Sequence, residues 1–237
     1  MSDPLTDRLK EIEGGKILDV ATGKGVFLKE IIDAMKSFDS AVGIDMSEKH
    51  IADARKEHEA ENIKFDVMDA YHLDFDNDSF DTVTIANSLH HFNDPGQVVR
   101  EMYRVMKPGG LFLIYEMVND NQTEEQQTHV EMHHWWAEID TAEGIVHNAT
   151  CSRNELLELV EPLGLERRET IAQDDPESDA HDKKTVDWLH EICDGYIERA
   201  EKKPELTALV ERGIQLKRRL NDIGIRWATE FCILGRK

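Results

Sequence analysis

One stretch limits what this chain can become. Residues 17–20 are apolar but for Asp19, residues 21–25 carry small side chains or none at Ala21, Gly23 and Gly25, and apolar residues then recur at Phe27, Leu28, Ile31, Ile32 and Met35. That order predicts a buried strand, a tight turn and an amphipathic helix. Glycines let the backbone approach a ligand and take turn conformations that a side chain forbids, while the start of the helix presents unpaired N–H groups. A nucleoside cofactor can sit there. Glycine turns also occur where no ligand binds, and the added constraint is the next acidic strand end. Residues 40–44 read as a second strand closed by Asp45, twenty residues beyond Gly25, about the spacing that sets a carboxylate against ribose hydroxyls.

The pattern continues along the chain. A small helix is expected at residues 5–12, stopped by Gly14 and Gly15. Ser47 can cap a helix carrying Ile51 and Ala54, and Ile63, Phe65 and Val67 alternate with polar residues as a third strand. Residues 80–87 form a fourth strand, and Asp94 and Pro95 then stand in N-cap and first-turn order for a helix buried through Val98, Met102, Val105 and Met106. Residues 107–110 read as a turn before a fifth strand at 111–115. A helix is expected at 123–139, and Ser152 with Glu155 has the spacing of a capping box for another, ended by Gly164. Sixth and seventh strands are placed at 165–172 and 226–234. Between them Val186, Leu189, Cys193, Ile197 and Ala200, then Leu206, Leu209, Val210, Gly213, Leu216, Leu220 and Ile223, repeat at helical spacing.

Composition removes several classes of partner. The chain has 237 residues, 40% of them hydrophobic, enough for one sizeable core. It carries 28 basic and 49 acidic residues, a formal net charge of −21 that repels a polyphosphate backbone. The basic run Lys217, Arg218 and Arg219 reads as a solvated helix face, so no nucleic acid partner is expected. Cys151, Cys193 and Cys232 are few, odd in number and far apart, which suggests neither a disulfide framework nor a zinc ribbon and fits a reducing cytoplasm. No apolar run approaches the length of a bilayer span and no basic-then-apolar leader opens the chain, so a soluble, cytoplasmic protein without a membrane partner is expected.

The run Asp19-Val20-Ala21-Thr22-Gly23-Lys24-Gly25 resembles the first motif of class I S-adenosylmethionine-dependent methyltransferases, in which an acidic residue precedes the glycine loop. Leu89-His90-His91-Phe92 after the fourth strand, and the turn at 107–110 before the fifth, are similar to that family as well. The likeness covers about residues 16–118 and is to the small-molecule branch that includes quinone C-methyltransferases. It implies an α/β fold, Rossmann-like and doubly wound, with a mostly parallel seven-stranded sheet and helices on both faces. One unit is expected over 1–237: a cofactor-binding core at 14–118, a helical lid at 119–150, and a helical insertion at 174–224 between strands 6 and 7. That insertion would cover substrate or make a homodimer surface.

The resemblance also implies roles. Asp19, Ala21, Gly23 and Gly25 would form the S-adenosyl-L-methionine loop, Asp45 and Met46 would meet the ribose side, Asp69 and Ala70 the adenine, and Asn87 the remaining edge. His91 stands at the carboxyl end of a strand, where open parallel sheets bind ligands, and is the candidate base or orienting group. A structural histidine is the competing reading. Tyr115, His129, His133 and Trp136 are candidate walls for a small-molecule methyl acceptor. His129 and His133 also share a helix face at the spacing of a metal half-site, but a pocket-lining face is the commoner outcome, and no metal is assigned. Two rival functions are a nicotinamide oxidoreductase, against which Leu28 stands where a third glycine is expected, and a catalytically silent S-adenosylmethionine-binding sensor or partner subunit.

Overall fold

The computed structural model describes residues 4–237, so the first three residues of the expected 1–237 unit lie outside the described residues. Seven strands form one sheet: β1 Lys16–Val20, β2 Ser40–Asp45, β3 Ile63–Val67, β4 Phe80–Ala86, β5 Met106–Met117, β6 Glu166–Gln173 and β7 Glu230–Arg236. Their order is β3-β2-β1-β4-β5-β7-β6, with β7 antiparallel to both its neighbours and the other pairings parallel. Strand order reverses between β1 and β4, the switch point at which open α/β sheets leave a crevice. β1 is central and covered on both faces, which is why Ile17, Leu18 and Val20 follow one another as a nearly continuous apolar run and are fully buried.

Among the described residues eight α-helices accompany the sheet: α1 Pro4–Leu9, α2 Val26–Ala34, α3 Glu48–Glu57, α4 Pro95–Val105, α5 Glu124–Ala142, α6 Arg153–Val160, α7 Lys183–Glu201 and α8 Thr207–Asp222. On one face of the sheet Val98, Met102, Val105, Leu156 and Val160 of α4 and α6 pack on Leu18, Phe80, Val83 and Ile85. On the other, Leu5, Leu9, Leu28, Ile31 and Ile51 of α1, α2 and α3 pack on Ile17, Phe65, Leu111 and Leu234. A third core belongs to helices alone, with Met132, Trp135 and Ile139 of α5 enclosed by Leu189, Cys193, Leu216 and Leu220 of α7 and α8.

Several expectations change. α1 stops at Leu9 and packs beneath the sheet, tied to β6 by Arg8 and Glu169 at 2.7 Å, so it does not roof the crevice. The turn at 107–110 lies inside β5 as a bulge: Phe80 pairs with Met106, and Thr82 already pairs with Leu111. β7 starts at Glu230 instead of 226, because the Ala228 and Thr229 N–H groups are taken by His129 Nδ1 and Gln122 Oε1 and not by a neighbouring strand. The apolar stripes of α7 and α8 close on α5 and on each other, which explains why the 174–224 segment is helical and packed.

Two consequences can be measured. Gly213 of α8 packs on Trp135, and an added Cβ would fall inside van der Waals contact of Trp135 Cζ2 and 2.8 Å from Ile197 Cγ1. The Trp135 ring cannot retreat easily, since it is fully buried and its indole N–H donates to Leu209 O at 2.8 Å. Gly213→Ala gains about 1 kcal/mol of helix propensity and loses about 1–3 kcal/mol to overpacking. The urea midpoint should therefore fall; an unchanged or higher midpoint would show that the contact yields.

At the end of β1, Asp19 is buried and accepts hydroxyl hydrogen bonds from Thr22 at 2.6 Å and Thr84 at 2.7 Å, which join β1 to β4. Burial outweighs those bonds and pushes its pKa up to about 6 from 3.8. A carboxyl whose folded pKa is raised is stabilising only while protonated. Stability from this group therefore falls as pH rises from about 4 to 6, by on the order of 3 kcal/mol. Asp19→Asn can keep both threonine contacts without the charge. Its melting curve should coincide with wild type near pH 4 and lie above it at pH 7, and equal melting temperatures at pH 7 would refute the assigned cost.

Candidate active site

At the carboxyl ends of β1, β2, β3 and β4 the loops enclose a cleft of about 660 Å³, within the range that holds a small ligand. Ala21, Gly23, Asp45, Met46, Asp69, Ala70 and Asn87 line it, so seven of the nine residues expected at the cofactor come together there. Asp19 and Gly25 stand behind the wall. Asp19 is buried under the loop, and Gly25 packs so closely that a Cβ would lie 2.8 Å from the Phe65 ring. Gly23 differs in purpose: a Cβ there would meet nothing within 4 Å, and the face of the loop over the cleft is open. Ala21 and Asn87, neither of them glycine, hold left-handed backbone at φ 54° and 43°. Such strain collects where the surroundings over-determine it. For Asn87 they do, since its N–H donates to Tyr115 O and its Oδ1 accepts from Met117 N–H, both at 2.8 Å.

Asp45 is fixed by two backbone donors, Gly23 N–H to Oδ2 at 3.0 Å and Ser47 N–H to Oδ1 at 2.8 Å. A carboxylate has about four acceptor positions, so capacity remains for two ligand hydroxyls. Asp69 accepts from Tyr71 N–H at 2.9 Å, an Asx turn that aims the end of β3 at the cleft. The same cleft is lined by Tyr71 and Phe92, edge to face at 5.5 Å, and by Val146, Asn93 and His91. These supply its apolar and aromatic lining. The Tyr71 hydroxyl accepts the Asn93 and Asp94 N–H groups at 2.9 and 3.2 Å and so positions the loop that carries His91.

His91 Nδ1 lies 3.2 Å from Val146 O. A carbonyl only accepts, so the proton sits on Nδ1 and Nε2 keeps its lone pair. Burial, then the neighbouring His90 and His147, lower the His91 pKa to about 4, and the ring is neutral at pH 7.

The four expected acceptor walls lie elsewhere. Successive side chains in a strand point to opposite faces. Glu116 of β5 faces the turn that carries His90, and Tyr115 consequently stacks on Phe27 at 5.3 Å in a separate cleft beside α1. His129 Nδ1 accepts the Ala228 N–H at 2.9 Å, and burial lowers its pKa to about 4. Trp136 packs beside Tyr196 in the helical core. His133 meets His90 and His147, and His129 stands outside that group. Burial and the surrounding imidazoles lower the His133 pKa to about 2.

Spacing did not single out Glu116, His90, His147 or Tyr71. Buried Glu116 accepts the Ser88 and Leu89 N–H groups at 2.6 and 2.8 Å and shapes the loop after β4. The one available signal was a carboxylate near the end of an otherwise apolar strand, which needs partners when buried.

Known proteins agree with this geometry. A model of the methyltransferase domain matches residues 12–172. A ubiquinone/menaquinone biosynthesis C-methyltransferase of Geotalea daltonii is 37% identical over 113 residues, which are 46% of this chain and 48% of that protein. The match thus spans about half the length of that relative. Among solved structures, a candidate methyltransferase of Bacillus halodurans is 20% identical with a TM-score of 0.63, covering 98% of this chain and 96% of that one. A phosphoethanolamine N-methyltransferase of Haemonchus contortus, solved with S-adenosylhomocysteine, has a TM-score of 0.58 at 18% identity, covering 98% of this chain and 51% of that one. Among the described residues no helix is long and apolar enough to cross a membrane. With a ligand cleft at the switch point of the sheet and a family match over two thirds of its length, the chain belongs to the methyltransferase domain family.

Proposed function

We propose that the chain transfers a methyl group from S-adenosyl-L-methionine to a planar small-molecule acceptor of the quinol type. The observation that carries this is one cleft lined by Asp45, Asp69 and the open face of Gly23 together with His91 and the aromatic pair Tyr71 and Phe92. The residues fit the cofactor. Asp45 retains acceptor capacity for ribose hydroxyls, Asp69 and Ala70 stand at the end of β3 for the adenine, and the space over Gly23 is free of side chains. The bound cofactor supplies an electrophilic methyl on its sulfonium. The protein's work is then mainly alignment and exclusion of water, and alignment can contribute about 7–11 kcal/mol.

Neutral His91, with its lone pair on Nε2, accepts a hydrogen bond from an acceptor hydroxyl and sets its angle. A base whose conjugate acid has a pKa near 4 takes little of the proton at pH 7, so orientation outweighs general-base catalysis. The apolar lining, Met46, Met68, Phe92 and Val146, suits an aromatic ring, in keeping with the quinone pathway of the Geotalea relative.

Two substitutions separate the cofactor from the acceptor. Asp45→Ala removes a charged acceptor for two hydroxyls, and titration calorimetry with S-adenosyl-L-methionine should show about 10- to 100-fold weaker binding. His91→Ala should lower kcat with a naphthoquinol by about 10- to 100-fold and leave that affinity within about twofold. Full turnover in His91→Ala would remove the orienting role, and undiminished cofactor binding in Asp45→Ala would remove the cleft assignment.

A further inference from the structure

Behind the wall formed by His91 and Val146, three imidazoles converge from three separate pieces of chain. His90 comes from the turn after β4, His133 from α5, and His147 from the loop after α5. One ring nitrogen from each lies within 4.8 Å of the other two. His133 Nε2 and His147 Nε2 are 3.4 Å apart. A tetrahedral zinc ion with Zn–N bonds of about 2.0–2.1 Å needs its nitrogens about 3.3–3.4 Å apart.

Carboxylates stand behind two of the rings. Glu116 Oε2 is 3.2 Å from His90 Nδ1, and Asp140 Oδ2 is 2.7 Å from His147 Nδ1. Each places a proton on Nδ1 and leaves the Nε2 lone pair for a ligand, which is how metal-bound histidines are usually oriented. Both carboxylates are themselves fixed, Glu116 by two backbone N–H groups and Asp140 by Tyr196 and Arg199. The two loops are also stitched together, since Asn148 N–H and its side-chain amide both donate to His90 O, at 2.8 and 3.1 Å. His133 is the ring left to adjust, with a buried Nδ1 that has no protein partner.

We infer that His90, His133 and His147 form a binding site for one zinc-class divalent cation. All three donors are imidazoles, which suits zinc and its neighbours in the first transition row and not magnesium or calcium, which prefer oxygen. Three protein ligands leave a fourth position for water. The cation would also tie the turn after β4 to the helical layer of α5, α7 and α8. The site does not depend on the methyl-transfer reading, because none of its three ligands lines the cofactor cleft.

The test uses tag-free protein stripped with a chelator and reloaded with Zn2+ or Co2+ in excess Mg2+, which occupies the acidic surface. One equivalent of zinc should remain after dialysis, raise the melting temperature, and in cobalt form show the strong visible bands of a tetrahedral site. His133→Gln or His147→Gln should weaken zinc binding at least about 100-fold, and Asp140→Asn about 10- to 100-fold. X-ray absorption on the zinc-loaded wild type should count three imidazoles, a result that stands even if a variant fails to fold. Zinc displaced by magnesium, fewer than two imidazoles at the metal, or His133→Gln binding as tightly as wild type would each overturn the site.

Discussion

The Asp45 carboxylate is gripped from both sides, by the Gly23 N–H of the loop after β1 and by the Ser47 N–H that opens α3, so one side chain joins the ends of two neighbouring strands. The grip requires register. Val20 pairs with Ile44 in a parallel ladder buried on both faces, and a one-residue slip would turn Asp45 into the core and an isoleucine toward the ligand. Register here is therefore enforced by burial of Ile17, Leu18 and Val20 and only then read out as a carboxylate at the cleft. Site geometry follows from core packing, and the loop needs no rigidity of its own beyond the positive φ values of Ala21, Gly23 and Gly25.

The aspartates at the ends of β1 and β2 have different surroundings. Asp45 lines the cleft and accepts from backbone donors, whereas Asp19 is buried with two hydroxyl partners, and burial pushes its pKa up to about 6. The nearby Asp45 charge adds to the shift, although burial is its main cause. A stabler sequence would omit a buried acid at the end of β1, so Asp19 is a local conflict of the kind found at functional sites. It holds Thr22 and Thr84 together at the switch point, where the crevice must stay open.

Most of the strand order, and the gathering of the loop residues and strand-end acids around one cleft, were legible in the sequence because they are local. Strand, loop and next strand end lie within thirty residues for Ile17 to Asp45, and a spacing rule reads such a unit directly. The bulge at 107–110 was misplaced as a turn because Gly109 and Gly110 signal a bend without saying whether pairing resumes around it. The placement of the other candidate residues was not legible. Tyr115 stands outside this cleft because the sheet face of β5 is decided by Glu116 bonding Ser88 and Leu89, residues of the turn after β4 that are distant in sequence. His129 and His133 share a helix face, yet one is claimed by Ala228 and the other by His147. Periodicity names the face of a helix and not its neighbour.

The family match ends at residue 172, before α7, α8 and β7, although the third core joins those helices to α5 within the matched region. α5 therefore belongs to two systems at once. Its outer residues, Met132, Trp135 and Ile139, are buried against α7 and α8, while His133 on the same helix points to His90 and His147 beside the cleft. A change in the packing of α7 or α8 must then move the imidazole cluster and the Val146 wall with it, because dense cores transmit displacement instead of absorbing it. This gives the helical layer a lever on the His91 and Val146 part of the cleft that the Asp45 part, anchored through β1 and β2, does not share. In this chain that part can thus diverge by repacking helices, with Asp45 and its loop held in place by the sheet.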